Sequence, residues 1–183
     1  MSSNLESSKL MAAIGALLKF LGFIPVIGII GAILVLMGMK GLAEYYKDDG
    51  IFRNTISGVI FGIVGLIALS IGIISVSGIM TLGVAGIVGG ILLALLLLVI
   101  VFIFFLFMAM YFRKAFYALS DRSGEHLFRT AGTLMFIGAV LTIIVVGLVL
   151  IFIAWIIATI AFFSIRTGPQ PQSYTYPPPS TSP

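Results

Sequence analysis

Ten basic and six acidic residues carry all the formal side-chain charge in this chain of 183 residues, and they gather in four places. Glu6 and Lys9 lie near the start, and Glu44, Lys47, Asp48, Asp49 and Arg53 form a second group. Arg113, Lys114, Asp121, Arg122, Glu125 and Arg129 form a third, and Arg166 stands apart. Between the groups lie three apolar blocks, residues 10–43, 54–112 and 130–165, interrupted only by Lys19 and Lys40. A bilayer core ~30 Å thick takes about 20 helical residues, so each block is too long for one span. The simplest solution is a helical hairpin per block. The pattern predicts an all-α polytopic membrane protein with six transmembrane helices in three hairpins, four or five spans being the alternatives.

Composition closes the other classes. Only 9% of residues are charged and 61% are hydrophobic, whereas a soluble domain carries about 25% charge. Such a chain cannot cover its own surface in water, and it is too apolar to be disordered. With no cysteine there is no disulfide framework, thiolate metal site or thiol nucleophile.

Turn signals refine the hairpins. The first should reverse at Gly22-Phe23-Ile24-Pro25, where Pro cannot continue a helix interior. The second should reverse within Ser75–Gly83, and the third near Gly147. All three tips are then uncharged, and every charged group lies on the opposite side with both termini. Lys and Arg favour the cytoplasmic side in short loops, so the expected orientation is both termini cytoplasmic in a multi-pass cell-membrane protein. The net charge of +4 then reads as orientation rather than as nucleic-acid binding. Residues 1–9 read as a polar cytoplasmic N-terminus and 10–166 as the transmembrane domain. The first span, uncleaved, would be short, running from Leu10 to Phe23, and would tilt, thin the bilayer or lie partly in the interface. The tail 167–183 holds six of the seven prolines and should be disordered and cytoplasmic.

Glycines mark where helices can approach one another. Gly58, Gly62, Gly65 and Gly72 fall on one side of the third span, and the fourth opens with Gly86 and Gly90. Small residues at such spacing let membrane helices pack without a hydrophobic driving force. The expected contact is the second hairpin packing on itself, with homo-oligomerisation as the alternative. The first and third hairpins also echo each other, Gly22 and Gly31 matching Gly138 and Gly147, with Gly15 matching Gly132. The two charged loops do so too, as Lys-Asp-Asp-Gly-Ile-Phe-Arg-Asn (47–54) and Ser-Gly-Glu-His-Leu-Phe-Arg-Thr (123–130).

The inventory of chemistry is short. No Asp, Glu or His lies within an apolar block, although ion-coupled transporters usually place one there. Lys19 and Lys40 are near span ends and can snorkel to the headgroups. His126, the sole histidine, follows Asp121 and Glu125, too few ligands for zinc. No phosphate-binding glycine loop or nucleophile elbow is present. The expected cofactor, metal and catalytic sets are therefore empty. Asp48-Asp49 should end the second helix in a turn with Gly50 as its flexible position. Arg113, Lys114, Arg122 and Arg129 beside Tyr111, Phe112, Phe116 and Tyr117 suit an interfacial anchor. With Arg53, they also suit anionic lipid headgroups or a partner. Tyr45-Tyr46-Lys47 and Phe162-Phe163 with Arg166 repeat the anchoring pattern.

Ala-Glu-Tyr-Tyr-Lys-Asp-Asp-Gly-Ile-Phe-Arg-Asn (43–54), residues 112–132 from Phe-Arg-Lys-Ala-Phe-Tyr through Glu-His-Leu-Phe-Arg-Thr-Ala-Gly, and the closing Ile-Ala-Trp-Ile-Ile-Ala-Thr-Ile-Ala-Phe-Phe-Ser-Ile (153–165) resemble the DUF996 family of archaeal membrane proteins. The resemblance covers about residues 10–166. It implies an archaeal integral membrane protein and brings no activity or catalytic residue with it. The expected function is a non-enzymatic scaffold, assembly or lipid-organising component, its loops 44–54 and 113–130 facing partners. The alternative is a small uncoupled transporter or channel built from repeated hairpins. These differ physically, since transport needs a polar-lined cavity near Ser57, Ser70, Ser75, Thr133 or Thr142.

Overall fold

Each apolar block folds back on itself. The computed structural model describes residues 2–20, 25–81, 83–142 and 146–166, the side chains of 2, 3, 20, 25–27 and 80 excepted. Six helices follow in order: α1 (Ser2–Phe20), α2 (Pro25–Tyr46), α3 (Asp49–Met80), α4 (Gly83–Ser123), α5 (Leu127–Leu141) and α6 (Val146–Ser164). They form three hairpins, and no strand occurs among the described residues. Four stretches are long and apolar enough to cross a membrane: Gly28–Tyr46, Asp49–Ile79, Gly83–Ser123 and Val146–Ser164. α5, with 15 residues, reaches only about 22 Å at ~1.5 Å per residue. α1 carries Glu6, Lys9 and Lys19. Each helix packs on the next in sequence, and α6 returns to α1.

The reversals fall near the expected places, with differences that have physical reasons. Residues 21–24, which hold most of the first expected turn, lie outside the described residues, as does the tail 167–183. The second reversal comes after Met80, and Gly83 takes φ +80°, a conformation open to glycine at little cost. The third lies between Leu141 and Val146, so Gly147 is not the turn but a residue of α6's first turn. There its role is close approach: a Cβ would strike the Gly138 carbonyl oxygen and the Thr142 nitrogen. Residues 2–9 are likewise not a separate terminus. They are the first turns of α1, held down because Leu5 is buried in the core and Ser8 lies against Gly41. Lys9 Nζ donates to the Ile165 carbonyl at 3.2 Å, joining the start of α1 to the end of α6.

Packing is uneven along the bundle. Among the described residues the buried large side chains gather in the half nearest the charged loops, including Leu5 on α1, Met39 and Leu42 on α2, Ile51 on α3, Phe116 and Leu119 on α4, Phe128 and Met135 on α5, and Phe162 on α6. Phe116 is the hub, its ring centroid 6.2 Å from Phe112, 6.0 Å from Phe128, 6.4 Å from Trp155 and 6.2 Å from Phe162. Edge-on and tilted rings at such spacings gain beyond simple area burial. Away from this core α3 and α4 continue together, at 32 and 41 residues about 48 and 62 Å long at ~1.5 Å per residue. Their far ends expose Ile71, Ile73, Ile74, Val84, Val88 and Leu92.

The glycines of α3 face α4. A Cβ on Gly58 would meet the Phe112 ring at 2.9 Å, on Gly62 the Met108 Sδ at 2.9 Å, on Gly65 the Phe104 Cβ at 3.3 Å and on Gly72 the Leu97 Cδ1 at 3.0 Å. Gly86 and Gly90 are buried on α4. The α1–α2 seam is tighter still: a Cβ on Gly15 would lie 2.5 Å from the Val35 nitrogen, and on Gly31 2.9 Å from the Gly15 oxygen. These contacts reset the repeat. Gly138 opposes Gly147 as Gly15 opposes Gly31, but Gly132 faces Arg113 and Phe116 on α4 rather than α6. The matching of Gly132 with Gly15 therefore fails in space, and Gly22 lies outside the described residues.

Candidate functional site

The charged loops meet at one end of the bundle. Asp48 joins them: its Oδ1 accepts from the Gly50 nitrogen at 3.0 Å and caps α3, while Oδ2 accepts from Arg122 Nε at 2.9 Å. The residue in the left-handed conformation at this corner is Lys47, φ +52°, not Gly50, because Asp48 takes extended backbone to cap and Gly50 is already helical. Asp48→Ala is expected to cost about 1–2 kcal/mol, most of it the cap and less the exposed ion pair. Asp48→Asn should keep the cap and recover more than half. Chemical or thermal unfolding of the two variants in one detergent checks the split.

The second corner lies between α4 and α5. Gly124, φ +74°, ends α4, and its nitrogen donates to the Ser120 carbonyl at 2.9 Å. Buried Ser120 in turn donates to the Glu125 carbonyl at 3.0 Å. His126 stands exposed at the cap position of α5 and makes no side-chain bond to it. Glu125 accepts from the Leu127 nitrogen at 3.4 Å, and Asp121 from Arg129 at 2.6 Å. The carboxylates flanking the histidine are thus engaged with backbone and arginine. Among the described residues no three His, Cys, Asp or Glu side chains are grouped as metal ligands.

The five basic residues singled out from the sequence divide. Arg122 is held by Asp48 across the loops. Lys114 lies over the Tyr111 ring at 5.3 Å, and Arg53 is exposed on α3's first turn. Arg113 and Arg129 come together: their guanidinium carbons lie 5.0 and 5.4 Å from the centroid of one ring, Tyr117. Arg113 also lies 5.1 Å from the Phe136 centroid, and the Tyr117 hydroxyl shares a 2.8 Å hydrogen bond with Thr133 Oγ1. Arg129 has Asp121. Arg113, half-buried, has no carboxylate at ion-pair distance among the described residues. Cation–π contacts are worth only ~0.5–1 kcal/mol at exposed sites, so Arg113 keeps most of its capacity for an anion.

Sequence reading missed Phe136 and the pairing of the two arginines through Tyr117. The signal was present: 113, 117 and 121 on α4, and 129, 133 and 136 on α5, each recur at spacings of three or four and so share a face. It also misassigned aromatics. Phe112, Phe116 and Phe162 are buried at 4%, 0% and 0% exposure, so they build the core rather than an interfacial anchor. Phe163 is exposed and keeps that position.

A cavity of about 650 Å³ lies farther along α4. It is walled by Leu69 and Ile73 of α3, Leu98, Phe102 and Phe105 of α4, and Thr142 and Leu148 at the far end of the third hairpin. A smaller hollow of about 370 Å³ is lined by Tyr45, Tyr46, Lys47 and Arg122 at the first corner.

The loop motifs that set this sequence apart are therefore the core and corners of the charged end. Comparison with known families covers a shorter stretch than the expected 10–166, taking in 43–54 and 112–132 whole and 153–165 only in part. A family described as a protein of unknown function (DUF996) matches residues 27–156. An uncharacterized protein of Methanocaldococcus jannaschii is 28% identical over 173 residues, covering 88% of this chain and 93% of that one. No solved structure matches. A family match running from α2 into α6, over the hairpins and both charged corners, places this chain in the DUF996 family.

Proposed function

We propose that this protein is a multi-pass, non-enzymatic membrane component that organises lipid, with all three hairpins in the bilayer and both termini cytoplasmic. The charged loops gathered at one end of the bundle support the orientation, with Lys19, in the last turn of α1, lying at the other end. α5 goes as deep as α6 begins, because Gly138 and Gly147 are in contact, so the third hairpin enters the membrane as a unit. The loops 44–54 and 113–130 form the face open to partners.

One observation carries the reading: the hydroxyls along α3 and at Thr142 bond their own helices, and the large cavity beside Thr142 is mostly apolar. Ser57, Ser70, Ser75 and Ser77 each donate to a carbonyl one turn back on α3, at 2.9, 2.9, 2.9 and 2.7 Å. Thr142 does the same to Gly138 at 2.8 Å. Each of these hydroxyl protons is therefore satisfied within its own helix. The 650 Å³ cavity beside Thr142 is lined mostly by Leu, Ile, Val and Phe, with Ser77 and Thr142 contributing hydroxyls, which suits an acyl chain better than a solvated solute. The α3 glycine stripe is already filled by α4, so it offers no surface for self-association.

The test is reconstitution into vesicles loaded with potassium, a sugar and a small anionic dye. Efflux should equal that of protein-free vesicles, and lipid co-purifying with the protein should be enriched in anionic species over the source membrane. Protein-dependent efflux of any of the three solutes would replace this reading with the uncoupled transporter.

A further inference from the structure

The arginine pair and the apolar cavity lie along one seam. Going down α4 from the loop, Arg113 is ten residues from Ser123, about 15 Å. Phe136 is at a matching depth on α5, about 14 Å from Leu127. Directly beyond them the exposed apolar surface begins, with Ile137 and Val140 on α5 and Phe107 on α4. Along the α4–α5 seam, Arg113 therefore stands between the charged end and this apolar surface. Phe105 and Leu98, which wall the cavity, follow at about 12 and 22 Å farther along the helix. Phe102 and Leu98 lie within about 60° of Arg113 around α4.

We infer that the α4–α5 seam holds one anionic phospholipid, its phosphate between Arg113 and Arg129 and one acyl chain laid along α4 into the cavity at Phe102, Thr142 and Leu148. The chemistry is complementary at both ends. The two guanidinium groups over Tyr117 are balanced by one carboxylate, Asp121, so the cluster has a net positive charge that a phosphate neutralises. Each guanidinium can offer two parallel donors to phosphate oxygens, a geometry that ammonium groups lack. Phosphate between transmembrane helices on the cytoplasmic side gains from the low local dielectric and from anionic-lipid enrichment there. The cavity's 650 Å³ falls inside the range of ~300–1,000 Å³ common for bound small molecules. This site deepens the lipid-organising reading by naming its ligand class and its place.

Native mass spectrometry of the full chain tests it, after exposure to phosphatidylglycerol, to phosphatidylcholine with the same acyl chains, or to inorganic phosphate. The wild type should retain one phosphatidylglycerol per chain in preference to phosphatidylcholine, and inorganic phosphate should not displace it. Arg113→Gln should weaken retention roughly tenfold, the loss expected for a charge-assisted contact. Arg166→Gln removes the same charge elsewhere on this end and should leave retention unchanged. Should Arg113→Gln fail to fold, Arg129→Gln, in the cluster but on α5, carries the same comparison. Equal losses in Arg166→Gln and the cluster variants would overturn the site in favour of diffuse attraction. Displacement by inorganic phosphate would make it a soluble-anion site, and loss of preference for phosphatidylglycerol would remove it. None of these results depends on vesicle efflux, so the site and the wider functional reading can fail separately.

Discussion

Phe116→Ala should lower stability by about 3 kcal/mol, the bottom of the range for deleting a buried aromatic. The bottom is expected because helices separated in a bilayer still sit in hydrocarbon, so little transfer energy is lost. What remains is the cavity and the missing contacts. Phe116 is fully buried and touches Phe112, Phe128, Trp155 and Phe162. Its removal therefore loosens α4, α5 and α6 together. Phe163→Ala, at an exposed site on α6, should cost well under 1 kcal/mol. Unfolding of both variants in one detergent, read by intrinsic Trp155 fluorescence, makes the comparison. Equal losses would show that the ring cluster is not the centre of the fold.

Gly147→Ala should be more disruptive than its one added methyl suggests. The new Cβ meets backbone on α5, the Gly138 carbonyl and the Thr142 nitrogen, and backbone cannot rotate away as a side chain can. Overpacking in a close-packed interior commonly costs ~1–3 kcal/mol, and a backbone clash belongs at or above the top of that range. Gly62→Ala adds the same methyl against Met108 Sδ, the end of a flexible thioether that can move. Its cost should stay below about 1 kcal/mol. A disulfide-trapping measurement across α5 and α6 would show the third hairpin opening in Gly147→Ala and intact in Gly62→Ala. The reverse order would mean that the α3–α4 seam is the less yielding one.

Phe116 and Gly147 also show how far the residues alone could be read. Charge placement located both corners, since Asp48, Arg122 and Asp121 cannot enter hydrocarbon, and the apolar stretches between them had to double back. The glycine stripe of α3 was legible because a helix repeats every 3.6 residues and Gly58, Gly62 and Gly65 share a side. The reversal near Gly147 was legible, but the close approach Gly147 makes to Gly138 was not, because glycine serves both ends and only the partner helix distinguishes them. Phe116 and Phe162 were misread for a reason peculiar to membranes. A ring facing lipid and a ring facing protein both sit among apolar neighbours, so hydrophobicity carries no inside–outside signal. Leu5 was overlooked because a single apolar residue among Ser, Asn and Glu shows no period. The anion seam was hidden by sequence distance, as Arg113 and Arg129 meet only through Tyr117.

The unequal lengths of the hairpins have a consequence for where such a protein can reside. α3 and α4 carry apolar surface well beyond the reach of α5 and α6, yet all depend on the same core at the charged end. A bilayer matched to the short helices leaves hydrocarbon-facing side chains such as Ile74 and Val84 in water, and one matched to the long pair stretches over the short ones. In a bilayer, the two lengths would make the hydrophobic match depend on membrane thickness. Leaning of the central pair or thickening of the lipid around it costs fractions of a kcal/mol per Å, enough to sort proteins between membranes.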